Sequence, residues 1–172
     1  NYMPSSEFYG GDTLLGNYKW SFDFDSKFSE MISFGSEFAF GREVIRDPES
    51  PEIGKIMEYG AKVQIKPSKN IKIRSFLDYY QAIDEDTGEE YYSGFISRLR
   101  CGYQFNKDIN FRLVLQYDDF YDEMDVQYLV SYQPSPFTIF YVGSSKMYMK
   151  DDPNWEESFG QTYLKIQKLF TI

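Results

Sequence analysis

Seven cations carry the plainest chemistry in this sequence. Lys62, Lys66, Lys72, Arg74, Arg98, Arg100 and Arg112 fall on alternate positions of the segments 57–66, 71–80, 95–105 and 111–117. Alternate residues of an extended strand share one face. In register, the seven would form a basic band toward one end of the strands, with Glu58, Asp78 and Asp118 as an acidic rim farther up the same faces. A ring of Lys and Arg around a pore favours anions, and the same band could dock an acidic protein partner. The competing reading is cross-strand ion pairing with carboxylates on neighbouring strands.

Other chemistries find less support. His is absent, which removes histidine general bases, the usual nucleophile triads and histidine metal sites. Cys101 is the single cysteine, so neither an internal disulfide nor a thiolate metal cluster is expected. The acidic stretches Asp84-Glu85-Asp86 with Glu89-Glu90, and Asp151-Asp152 with Glu156-Glu157, invite a calcium reading. The spacing Asp84-x-Asp86-x-Gly88 lacks the third ligand of the helical calcium loop, and solvated surface charge is the simpler account. Asp118 and Asp119 are adjacent and point to opposite faces of a strand, a poor geometry for paired-carboxylate hydrolysis. No enzymatic activity, cofactor or metal is expected. A net charge of −9 argues against nucleic acid as a partner.

The elements that must position the cations are strands. Aromatic residues make up 20% of the chain and helical apolar periodicity is scarce. About nine segments alternate apolar and polar residues, most of them near the ~9–11 residues that a tilted membrane strand requires. No apolar run approaches the ~20 residues of a membrane-spanning helix. Short links at Asp25-Ser26-Lys27, 67–70, 106–108 and 134–136 alternate with longer acidic ones around 46–54, 84–90 and 148–158. Membrane barrels likewise alternate short periplasmic turns with longer outer loops. Trp20, Tyr79, Tyr80, Tyr91, Tyr92, Tyr132, Tyr148 and Trp155 lie near strand ends, as interfacial aromatic girdles do. Residues 1–16 are expected to be a loop or the remnant of an upstream strand, and 17–172 an antiparallel up-and-down transmembrane β-barrel, all-β.

The last strand is expected at 160–172, with Leu164, Ile166, Phe170 and Ile172 on its apolar face and Lys168 breaking the pattern. This ending resembles the closing strand of bacterial outer-membrane barrels. Together with residues 111–117, 129–143 and 163–170, it resembles the C-terminal barrel region of a Bacteroidetes family of uncharacterised outer-membrane proteins. In that family a family 9-type carbohydrate-binding domain precedes the barrel. That domain is not among the residues here, so sugar binding is not implied. The resemblance is close over 110–172 and loose before it. It implies residence in the bacterial outer membrane among lipid and lipopolysaccharide. It also implies recognition of the C-terminal strand by the barrel-assembly machinery, and room for a periplasmic or outer-membrane protein partner.

The expected function is therefore a non-enzymatic outer-membrane barrel acting as passive pore, membrane anchor or subunit of an outer-membrane assembly. The alternative is a soluble, aromatic-rich β-barrel or sandwich that binds a small ligand or carbohydrate. Single-chain bacterial barrels normally have an even strand number. About nine strands therefore point to the C-terminal part of a larger barrel, or to one more strand within 1–16.

Overall fold

A computed structural model describes residues 5–9, 12–45, 52–151 and 153–170. Every element is a strand: β1 (Ser5–Tyr9), β2 (Asp12–Lys27), β3 (Ile32–Ile45), β4 (Glu52–Ser68), β5 (Ile71–Asp84), β6 (Glu90–Gln104), β7 (Ile109–Asp118), β8 (Glu123–Ser135), β9 (Thr138–Asp151) and β10 (Asn154–Lys168). β2 to β10 form one continuous antiparallel up-and-down sheet of nine strands, and the short β1 pairs with the far edge of β2. Thus the stretch 1–16 contributes β1 and the first residues of β2. Among the described residues the second edge of β10 pairs with no strand, so the expected closed barrel is here an open sheet.

The alternation seen in the sequence produces this fold because aromatic residues of neighbouring strands meet on one face. Phe22 faces Phe38 and Trp20 faces Phe40 across β2 and β3, and the diagonal Phe22–Phe40 rings stack at 6.3 Å. Such cross-strand aromatic pairs are a main source of sheet stability. Strands run longer than the alternation indicates, 14–17 residues for β3, β4, β5, β6 and β9. The acidic stretch at 84–90 therefore loses its two end residues to strands, and the one at 148–158 is largely strand ends. The first link shrinks to 85–89, and the second to what lies between Asp151 and Asn154. The link at 46–51 lies outside the described residues.

Two turns sit elsewhere than expected. Asp25, Ser26 and Lys27 continue β2 in full register with β3, and the chain reverses at 28–31. There Ser29 Oγ accepts the backbone N–H groups of Met31 and Ile32, both at 3.1 Å, the local bond that makes serine a turn residue. At the other place, β8 carries Pro134 through to Ser135 because a bulge between Tyr132 and Ser135 absorbs the missing donor. The last strand also shifts. β10 starts six residues before the expected 160 and ends at Lys168, with Leu169 still donating its N–H to Phe137 O at 2.8 Å. Ile172 lies outside the described residues.

The two faces of the sheet differ. One carries Ala39, Ile56 and Ala82, all buried, and three concavities open on it. The other carries most of the exposed apolar side chains, among them Phe22 and Phe24 at 56% and Tyr59 at 41%, while Met149, Phe159 and Tyr163 are exposed on the first face at β9 and β10. The sheet is therefore concave toward its polar residues and convex toward its aromatic ones.

Candidate functional site

Register brings five of the seven expected cations together on the concave face. Arg74 of β5 lies opposite Arg100 of β6, which lies opposite Val114 of β7. One row toward the tight turns, Lys72 faces Gly102 and Gly102 faces Arg112. One row the other way, Arg98 faces Gln116. These five cations line a single concavity of about 510 Å³, together with Gln116, Gln127 and one acidic residue, Asp125. Among the described residues none of the five makes an ion pair.

Two of the guanidinium groups are held in place. Arg98 Nε donates to Gln116 Oε1 at 2.7 Å, and its Nη2 reaches the same oxygen. Arg100 lies over the Phe76 ring, 5.4 Å from its centre, a cation–π contact that fixes the plane of the group. At Gly102 the concavity has a floor and no side chain. A Cβ there would meet nothing nearer than the Lys72 carbonyl oxygen at 3.8 Å.

The other two cations lie outside this concavity. Lys62 bridges to Asp25 Oδ1 at 2.8 Å. Lys66 sits in the bulge between Ile65 and Ser68 in β4 and lines the adjoining concavity at the tight-turn rim, which it shares with Lys27, Lys72 and Gly102. A two-residue sequence period cannot register that bulge, so alternation by itself groups Lys66 with the rest.

The acidic row above the cations is wider than the sequence indicates. Asp23, Glu37, Gly60, Asp78, Ile96, Asp118 and Glu123 share one row across β2 to β8. Asp78 and Asp118 are the expected members; Asp23, Glu37 and Glu123 carry the same alternation and need only the pairing register to be seen. Glu58, also expected on the rim, sits one row higher and pairs with Lys19 at 2.6 Å.

At the end opposite the tight turns, the β7–β8 link at 119–122 folds over the concave face. The Phe120 ring packs on Gly94, whose added Cβ would lie 2.9 Å from it, and against Tyr80 and Tyr92 at 6.4 and 6.2 Å. Asp118 Oδ1 accepts the Phe120 N–H at 3.0 Å, and Asp122 takes a positive φ of 49°. Asp118 and Asp119 are thus occupied in shaping this turn. Tyr80 and Tyr92, expected in an aromatic girdle, turn inward instead, because both lie in concave rows with Ala82 and Gly94.

The acidic hairpin at 84–90 is tied by Asp84, at the strand end beyond the aromatic Tyr79. Its carboxylate accepts the backbone N–H groups of Asp86 and Thr87, both at 2.7 Å, and the Tyr91 hydroxyl at 2.8 Å. These bonds hold the Asp84 carboxyl down at about 2, the Thr87 N–H contributing most. Among the described residues no group of three or more His, Cys, Asp or Glu is arranged to hold a metal ion.

On the convex face, aromatic residues fall in two bands. Tyr59, Tyr79, Phe95, Tyr117 and Trp155 run along one side, where Phe95–Tyr117 and Tyr117–Trp155 are 5.6 and 6.1 Å apart. Tyr103, Phe111, Tyr132 and Phe140 run along the other, with Tyr132–Phe140 stacked at 6.1 Å. Between them lie Val63, Ile65, Ile73, Leu77, Leu99, Leu113, Leu115 and Val126. Leu164 and Ile166 of β10 extend this face and are 69% and 62% exposed. At β9 and β10 the face changes character. Lys146 pairs there with Glu157 at 2.5 Å, beside Ser144 and Thr162.

No protein-family model matches the chain, and no curated protein matches it. The resemblance over residues 110–172 rests on the residue pattern alone.

Proposed function

We propose that this sheet is the membrane-spanning wall of a non-enzymatic outer-membrane β-barrel, or of part of one, acting as pore, anchor or assembly subunit. The layering of the convex face carries the reading. Phe95 and Tyr103 stand eight residues apart on β6 with Ser97, Leu99 and Cys101 between them on the same face. That is about 26 Å of strand, or about 20 Å along the normal at the ~40° tilt usual for barrel strands. A mainly apolar band of that height between two aromatic bands approaches the ~25 Å apolar belt of outer-membrane barrels. In water the same surface would be a large exposed apolar patch.

The resemblance to the Bacteroidetes barrel family supports the same reading. So do the open edges. Unpaired strand edges cannot stand in hydrocarbon, so β10 and the β1–β2 edge, open among the described residues, must be covered in the membrane, by each other on closure or by further strands. The tight turns would face the periplasm and the 85–89 and 119–122 links the outside. The Lys146–Glu157 pair favours a protein neighbour over lipid at β9–β10, since a charged pair at mid-height on a lipid face is costly.

Purification tests this directly. The chain should aggregate without detergent and, in detergent, migrate on gels with a mobility that heating shifts. A monodisperse, detergent-free protein would sink the membrane reading and favour the soluble ligand-binding sheet.

A further inference from the structure

We infer that the notch over Gly102 binds a small solute bearing two or more oxyanion groups, of the phosphate, sulfate or carboxylate class. The notch belongs to the concave face, so its chemistry is the same whether or not the convex face meets lipid. An electrostatic imbalance marks it out. Arg74 and Arg100 are directly opposed across β5 and β6, an arrangement of like charges that weakens a sheet. Lys72, Arg98 and Arg112 add to the same concavity, and among the described residues the five have no ion-paired partner. Acidic residues are plentiful one row away, yet they line up with one another instead of neutralising the cluster. Lys62 is bridged by Asp25 two strands away in its row, whereas Asp125, two strands from Arg98 in the same way, lines the concavity without an ion pair to it among the described residues.

The cluster is also shaped. Gln116 orients the Arg98 fork, and the Phe76 ring orients Arg100. Planar guanidinium groups fixed in advance suit bidentate contact with oxyanions. Gly102 leaves the floor open between Lys72 on one strand and Arg112 on the next. The Arg98 row and the Gly102 row are four residues, about 13 Å, apart along β6, a span that suits two anionic groups better than one. The space of about 510 Å³ fits a small molecule, and the overall charge of −9 repels a long polyanion.

Inorganic tripolyphosphate is the probe. Titrated calorimetrically into the full chain in a non-ionic detergent, it should bind saturably with one site per chain. Arg100→Gln and Arg112→Gln should each weaken binding at least tenfold. Gly102→Leu should abolish it with no change of charge, because its side chain fills a floor that the backbone leaves open. Lys150→Gln, which removes a cation at the opposite end of the sheet, should leave it within twofold. Short-chain cardiolipin, whose headgroup carries two phosphates, supplies the second arm. If it binds with the same variant pattern where free tripolyphosphate does not, the oxyanion is a lipid headgroup; the reverse assigns a free solute. Binding that survives Gly102→Leu, or that falls equally with Lys150→Gln, would mean diffuse electrostatics and overturn the site. Should Gly102→Leu not fold, the two arginine variants set against Lys150→Gln decide between a site and diffuse charge.

Discussion

Asp25 and Lys62 reach each other across a third strand: the carboxylate comes from β2, the ammonium from β4, and Gly35 of β3 lies beneath the 2.8 Å bridge. The glycine is required, because a Cβ at position 35 would overlap both Lys62 Cε and Asp25 Oδ1. Both charged side chains are more than half exposed, so solvent screens the pair and it contributes little. A double-mutant cycle with Asp25→Asn and Lys62→Met in detergent should return a small favourable coupling. In a Gly35→Leu background the coupling should vanish, since the added side chain occupies the space of the bridge. Unchanged coupling there would show that the two groups do not meet over Gly35.

Both tryptophans of the chain lie on the convex face, Trp20 beside Phe40 and Trp155 beside Tyr117. They are 41% and 42% exposed in the isolated chain. Reconstituted into bilayers of brominated lipid, Trp20→Phe and Trp155→Phe variants should each retain one emission that the bromines quench strongly. Water-soluble quenchers should act weakly on both. The opposite ranking would place this face in water.

The hairpin between β5 and β6 should be insensitive to acid until very low pH. Asp84 is held near 2, below its ordinary 3.8. Because its folded value is depressed, its contribution is complete above the unfolded value and is lost only as pH falls toward 2. A carboxylate NMR titration should place its midpoint there. Asp84→Ala should free the Asp86 and Thr87 N–H groups and speed their hydrogen exchange at neutral pH.

Phe120 should act as a partial cover at the end of the concave face away from the tight turns. Gly94→Val places atoms against its ring and should lift it from Tyr80 and Tyr92. The expected readout is faster proteolysis within 119–122 in Gly94→Val and Phe120→Ala alike, with the sheet retained by circular dichroism. Equal cleavage in variant and parent would mean that the ring is not seated there.

Much of this architecture is legible in the sequence because a strand's side-chain period is two, and two is easily read. Alternation alone assigns Phe22, Phe38, Tyr59 and Tyr79 to one face, and the pairing puts them in one row. Strand ends are less legible, since acidic residues such as Glu52, Asp84, Glu90 and Asp151 read as loop yet complete their ladders at the sheet's edge. The candidate site is legible as a set of residues but not as a neighbourhood. Which cation meets a carboxylate depends on register, and register puts Asp25 in the row of Lys62 while leaving Arg74 facing Arg100. Bulges are invisible to periodicity, and the one in β4 puts Lys66 in the adjoining rim concavity, where it meets the cluster only at Lys72 and Gly102. Phe120 escapes a sequence reading because a turn residue belongs to no face until the turn folds back.

Gly102 and the five cations around it are confined to β5, β6 and β7, three adjacent strands in the middle of the sheet. Strands added at either margin would change the circumference of a closed structure without touching them. Channel width and charge preference would then be set by different parts of the molecule, free to vary independently between otherwise similar assemblies.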